Sequence, residues 1–265
     1  MTEVHKIDVG DAELHVEISG IGPPLLLLAG LGGRGAFWRN QVEAFAQTHR
    51  LIVPDHRGCG SSTRGKCVTG IDHMASDILA LIDALGLQSI DLVGHSTGGA
   101  IGQYIAIHHP NRIERLVLSC SWAGPDQYFS ALFSNRKAIL QDSGPEAYLA
   151  HGTFLAMPSS YLQPVMRSGE DIVADRLAEF PGMDVELSRI AAVMGHDQRD
   201  GLRKISAPTL CIGARDDQIT PPGFTEELAA RIPSAELHLL DRGGHFCAIT
   251  AAREYNVRVG AFLNQ

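Results

Sequence analysis

Gly94-His95-Ser96-Thr97-Gly98 places a serine between two glycines, where a short apolar run (Ser89–Val93) gives way to apolar residues at helical spacing (Ala100–Ile107). A G-x-S-x-G turn between strand and helix holds its serine in a strained conformation that lifts the hydroxyl clear of the sheet. A side chain at Gly94 or Gly98 would crowd that turn. A serine hydroxyl is a poor nucleophile at neutral pH unless a base takes its proton, and an imidazole titrating near ~6.5 suits that role. His245, after Asp241-Arg242-Gly243-Gly244, is the candidate base. A carboxylate that holds the imidazole tautomer completes the set. Counting back from Pro221 points to Asp217, and counting from Gly213 points to Asp216. Asp217 is favoured, because the proline that opens the next helix fixes where the turn ends. The chemistry implied is attack on a carbonyl carbon, an acyl-enzyme, and its release by water. The plainer reading of Ser96 is a helix-capping serine.

These residues need strands that end on one rim. Pro208–Ala214 and Glu236–Leu240 read as strands, so Asp217 and His245 follow strand ends, where open α/β sheets place their sites. Val4–Val9 and Glu13–Ile18 alternate as an antiparallel pair, and Leu25–Ala29 and Leu51–Pro54 are continuous apolar runs covered on both faces. Helices are predicted over Ala36–Gln47, Ile71–Leu85, Ala100–His108, Gly223–Ile232 and Ala251–Leu263. The alternation predicts a doubly wound α/β sheet. It breaks between Trp122 and Ser206, a stretch too long for a loop. Gly144-Pro145, Pro158, Pro164 and Pro181-Gly182 divide that stretch into four or five short helices. The expected organisation is a core of residues 1–121 and 207–265 with a helical cap over 122–206.

At 265 residues and 45% hydrophobic content, one domain plus an insertion can bury a sizeable core. A net charge of −8 with no basic run argues against nucleic acid as a partner. No leader or membrane span is read, so a cytoplasmic location is the expectation. The cysteines Cys59, Cys67, Cys120, Cys211 and Cys247 are dispersed without a C-x-x-C pair, which predicts neither a disulfide framework nor a zinc site.

Leu25–Gly33, Pro54-Asp55-His56-Arg57-Gly58-Cys59-Gly60-Ser61-Ser62, the Ser96 turn, Asp216–Pro221 and Gly243-Gly244-His245 together resemble the α/β-hydrolase superfamily over nearly the whole chain. Phe133–Leu162 and Ala214–Ala248 are most similar to the aminoacrylate-hydrolase branch, with the 3-oxoadipate enol-lactonases close behind. The resemblance implies a mostly parallel eight-stranded sheet with an inserted helical cap. It also implies an oxyanion hole made by the backbone N–H groups of Leu31 and Thr97. Many relatives carry His-Gly where this chain has Ala29-Gly30, so a hydrogen bond from that histidine is not available. The turn Asp55–Ser61 resembles a structural element and is assigned no chemistry.

The expectation is therefore a cofactor-independent serine hydrolase, without metal, acting on a small-molecule ester, lactone, enol-lactone or amide-like bond. Carbon–carbon hydrolysis of a diketone on the same residues and a hydrolase-derived receptor are the alternatives, and a homo-oligomer is left open. Haloalkane and epoxide chemistry need a carboxylate where Ser96 stands. The pocket candidates are Trp38, Trp122, Phe129, Arg136, Phe154 and Phe246, and Arg34, Arg136 or Arg189 could meet a substrate carboxylate. Among twelve histidines, His95 is expected to pack beneath the turn, and His151 and His196 to lie in the cap.

Overall fold

Leu25-Leu26-Leu27-Leu28 has no polar face because helices cover both sides of the strand it forms, and each of the four is fully buried. The computed structural model describes residues 2–66 and 70–265; Cys67 lies outside the described residues. The eight strands are β1 (Glu3–Asp8), β2 (Glu13–Ser19), β3 (Pro24–Leu28), β4 (Arg50–Pro54), β5 (Ile90–His95), β6 (Ile113–Ser119), β7 (Thr209–Ala214) and β8 (Glu236–Leu240). They form one sheet in the order β1-β2-β4-β3-β5-β6-β7-β8. β1–β2 and β2–β4 are antiparallel, and the remaining pairs are parallel.

Helices α1 (Arg39–Phe45), α2 (Ile71–Ala84) and α3 (Thr97–His108) follow β3, β4 and β5. The helix expected over Ala36–Gln47 is shorter, because Gly35–Trp38 takes a tighter 3₁₀ turn first. The strand Ile113–Ser119, which periodicity alone does not single out, closes the first half of the sheet and leads into the insertion. That insertion holds α4 (Gln127–Ala156), α5 (Ser159–Arg167), α6 (Ala174–Ala178) and α7 (Met183–Gly195). The Asp126 carboxylate accepts the Phe129 N–H and starts α4, which kinks where Gly144 (φ 83°) precedes Pro145. Pro164 does not end a helix as expected. It sits inside α5, where the carbonyl it leaves unpaired belongs to the exposed Ser160 and is open to water.

After the insertion, α8 (Pro222–Arg231), α9 (Cys247–Thr250) and α10 (Ala252–Leu263) complete the chain. Two apolar cores lie on opposite faces of the sheet. One joins α2, α3 and the insertion around Leu26, Leu92 and Trp122; the other joins α1, α9 and α10 around Leu25, Val93 and Tyr255. No helix among the described residues is long and apolar enough to cross a membrane.

Candidate active site

Ser96 stands between β5 and α3 with φ 50° and ψ −113°, a conformation rarely taken by a residue with a side chain. The flanking glycines make it possible. A Cβ on Gly94 would stand 2.3 Å from the Gly98 carbonyl oxygen, and one on Gly98 would stand 2.3 Å from that of Leu28. The Ser96 N–H is held by the Ser119 carbonyl at 2.7 Å. Behind the turn runs a buried polar chain that periodicity could not disclose. Ser121 Oγ donates to the Ser96 carbonyl at 3.1 Å, Gln103 Nε2 donates to Ser121 Oγ and the Trp122 carbonyl, and His196 Nε2 lies 3.3 Å from Gln103 Oε1. Burial pushes the His196 imidazole down to about 4, so it is neutral at physiological pH.

β7 and β8 deliver the other two residues. His245 Nδ1 lies 2.8 Å from Asp217 Oδ2, and both side chains are buried. Asp217 is held from every side. Its Oδ1 accepts the N–H groups of Ile219 and Thr220, and the Thr220 hydroxyl lies 2.8 Å from its Oδ2. Asp216 serves the loop instead. Its carboxylate accepts the Gly244 N–H at 2.8 Å and pins the segment that carries His245. Thr220, which no sequence motif marks out, also lies 3.2 Å from His245 Nδ1. Ser96 Oγ makes no hydrogen bond to His245 here. Catalytic contacts of this kind are often long before substrate binds and tighten in the complex.

His95 packs beneath the turn, stacked on Phe37 at 4.5 Å and 4.8 Å from the His245 ring. Burial, and then the neighbouring His245, lower its pKa well below the usual imidazole value. The loop after β3 passes directly over the serine, since a Cβ on Gly30 would lie 3.3 Å from Ser96 Cβ. Neither the Leu31 nor the Thr97 N–H has a partner among the described residues; Thr97 is the first residue of α3, where helical donors are free. From α7, Arg189 reaches this loop. Its Nε donates to the Leu31 carbonyl at 2.6 Å, and its Nη2 lies 3.3 Å from the Gly30 carbonyl and 3.0 Å from His56 Nδ1.

The pocket candidates divide. Trp38 lies in the core on the other face of the sheet from the inserted helices, against Phe37 and Tyr255, which sets it apart from any wall the insertion provides. Phe154 is 52% exposed on the outer face of α4, which corrects its assignment as well. Periodicity marks a residue as apolar without saying which way its helix turns. Trp122 and Phe129 are buried and stacked at 5.0 Å, and Phe246 packs against His95 and Phe37. The Phe246 N–H donates to the Ala156 carbonyl, tying the end of α4 to the histidine loop.

Arg136, also on α4, is 5% exposed, with its guanidinium 4.5 Å from the Tyr148 ring centre. Its Nε and Nη1 have no hydrogen-bond partner among the described residues. It occupies the space a side chain at residue 152 would need, since a Cβ on Gly152 would lie 2.7 Å from Nη1. Gly152 is one helical turn, about 6 Å, before Ala156 and the histidine loop. Arg34 is paired with Glu179. The Tyr148 hydroxyl donates to Glu186 Oε1 at 2.6 Å.

Comparison with known proteins agrees with this architecture. Residues 23–163 match the family model described as the alpha/beta hydrolase fold. A protein of Azorhizobium caulinodans named "Putative carbamate hydrolase RutD" is 38% identical over 242 residues, covering 91% of each chain. The protein of that name from Pseudomonas savastanoi pv. phaseolicola is 35% identical, covering 99% of this chain and 98% of its own. Among solved structures, the enol-lactonase from Burkholderia xenovorans superposes with a TM-score of 0.89 at 26% identity, over 98% of this chain and 100% of its own. Est816, described as an N-acyl homoserine lactone degrading enzyme, has a TM-score of 0.83 at 26% identity, over 97% and 100%. The chain belongs to the α/β-hydrolase family and is a hydrolase.

Proposed function

We propose that the protein is a cofactor-independent serine hydrolase that cleaves a small anionic ester, lactone or carbamate. Ser96 attacks the carbonyl carbon while His245 Nε2 takes its proton. Asp217 keeps the histidine proton on Nδ1 and stabilises the imidazolium that forms. The developing oxyanion is met by the N–H groups of Leu31 and Thr97, each worth roughly 2.7–4 kcal/mol in such sites. His245 then returns its proton to the leaving group, and water repeats the cycle on the acyl-enzyme. The observation that carries this reading is the Asp217–His245 pair on the same rim as the strained Ser96 turn.

The anionic character rests on Arg136. Of the three arginines considered, Arg34 already has a carboxylate and Arg189 is engaged by backbone carbonyls, whereas Arg136 has two buried donors free. Trp122, Phe129 and Phe246 are proposed as the apolar wall. Relatives named for carbamate and enol-lactone hydrolysis favour the same class of bond.

An organophosphonate tests the nucleophile. Stoichiometric labelling of the wild type, abolished in Ser96→Ala and slowed at least a hundredfold in His245→Ala, is the expected result. A folded wild type that takes no label overturns the assignment.

A further inference from the structure

We propose that Cys120, Asp217 and His245 form a capture site for a thiophilic divalent cation, zinc or cadmium, whose binding switches the hydrolase off. One ligand atom from each residue lies within 4.8 Å of the other two, and all three side chains are buried. Cys120 directly follows β6 and holds a positive φ of 47°. Its N–H is fixed by the Ile212 carbonyl, and its own carbonyl lies 3.0 Å from the Thr220 hydroxyl. The backbone that carries the thiol is thus held on both sides, next to the buried Asp217–His245 pair.

The donor set suits a soft to borderline cation. A thiolate, an imidazole and a carboxylate with a position left open is a known type of zinc coordination chemistry. Bonds of about 2.0–2.3 Å in a tetrahedron separate ligand atoms by roughly 3.2–3.8 Å. The 2.8 Å between Nδ1 and Oδ2 must therefore open by about half an ångström, and the thiol must close in by up to about an ångström. Charge favours the assembly, because a dication with one thiolate and one carboxylate is neutral, which suits a buried place.

The proton balance explains the inhibition. A cation on Nδ1 takes the lone pair that carries the proton there, and that proton moves to Nε2. The thiol releases its proton to solvent, so the net change is one cation bound and one proton released. With Nε2 protonated and Nδ1 on the metal, the imidazole has no lone pair left to receive the Ser96 proton. The inhibition rests on the serine mechanism proposed above; the binding does not. The titratable neighbours of Cys120 are Cys247, whose Sγ is 3.5 Å away, Asp217 and His245, with Tyr255 beyond. The Cys247 thiol and burial hold the Cys120 thiol well above its usual pKa. Deprotonation is therefore driven by the cation, and apparent affinity rises about tenfold per pH unit.

The test uses the full-length protein with cadmium alone, then zinc alone. Cadmium is expected to raise a thiolate-to-metal absorbance in the ultraviolet, saturating at one equivalent and developing slowly because the ligands are buried. Zinc is expected to stop turnover. Cys120→Ser and Cys120→Ala keep turnover within about threefold, lose the absorbance and lose at least tenfold in zinc sensitivity, while Cys59, Cys67 and Cys211 remain as internal controls. Absence of the band in wild type, or its persistence in both folded variants, overturns the site. A Cys120-dependent band without any effect on turnover leaves the cation site standing and refutes the role given to His245.

Discussion

Arg189 Nε lies 2.6 Å from the carbonyl oxygen of Leu31, so a helix of the insertion holds the loop that crosses Ser96. The Leu31 N–H, the proposed oxyanion donor, shares its peptide plane with the Gly30 carbonyl, and Arg189 Nη2 lies 3.3 Å from that carbonyl, so Arg189 holds the planes on both sides of Leu31. Arg189 is proposed as a positioning residue, since it acts through the Gly30 and Leu31 carbonyls and not on the reacting atoms. Arg189→Met is expected to lower kcat by about ten- to a hundredfold, part of the roughly 2.7–4 kcal/mol that a full donor supplies. KM should change little, and Arg189→Lys should recover part of the loss. The check is steady-state kinetics beside affinity for a boronate analogue of the tetrahedral intermediate. Loss of thermal stability with unchanged kcat and boronate binding would mean that Arg189 only holds the fold.

Gly98 faces the Leu28 carbonyl so closely that a methyl group there would sit 2.3 Å from the oxygen. That oxygen belongs to the central strand pair β3–β5 and cannot swing aside as a long side chain would. Gly98→Ala is expected to cost about 3 kcal/mol or more, at the upper end for overpacking of a buried site. Urea denaturation measures the loss. Gly223→Ala, where an added Cβ meets nothing within 4 Å, is the control and should stay within about 1 kcal/mol of wild type.

Much of this architecture was legible in local patterns. The Ser96 turn, the four-leucine strand and the loops after β7 and β8 each announce themselves within ten residues. Family likeness then arranged those pieces into one sheet. Pro221 favoured Asp217 over Asp216 in the sequence, and the folded turn puts the one carboxylate on the imidazole and the other on Gly244. Thr220, Ser121, Gln103 and Arg189 were illegible because the partners that give them a role lie 18 to 158 residues away. No period encodes such pairings. Trp38 and Phe154 were misplaced for a related reason: the sequence marks both as aromatic, whereas the rotation of each helix about its axis decides between core, pocket and solvent.

His196 gives the protein a predictable weakness in acid. Its imidazole is pushed down to about 4 in the folded state, against about 6.5 when unfolded. Below pH 6.5 the unfolded chain binds the proton that the folded chain refuses, so stability falls as pH drops toward 4. The contribution at pH 4.5 relative to neutral pH is on the order of 2–3 kcal/mol from this one group. His196→Gln is expected to flatten that part of the profile while costing stability at pH 7 through its imperfect bond to Gln103. Urea unfolding of both proteins at pH 7 and pH 4.5 measures the difference. Equal losses in both proteins over that interval would assign the acid sensitivity to other groups, with the buried His56 and His95 next in line.

Arg136 is where the proposed anionic substrate is tested. Its two donors without a hydrogen-bond partner among the described residues are buried beside Gly152, one helical turn before the Ala156 carbonyl that holds the Phe246 N–H, and a buried cation is costly unless a ligand completes it. A hydrogen bond to a charged partner contributes roughly 1.5–3 kcal/mol, a factor of about ten to a hundred and fifty. For an ester bearing a carboxylate, Arg136→Met is therefore expected to raise KM by about that factor with a smaller change in kcat. For the matched methyl ester, lacking the charge, the same variant should perform as well as wild type or better, because the uncompensated cation is gone. The ratio of kcat/KM for the two substrates, measured in wild type, Arg136→Met and Arg136→Lys, isolates the charge contact from general damage. If both substrates lose equally, Arg136 serves to pack Tyr148 against α4, and the substrate need not be an anion.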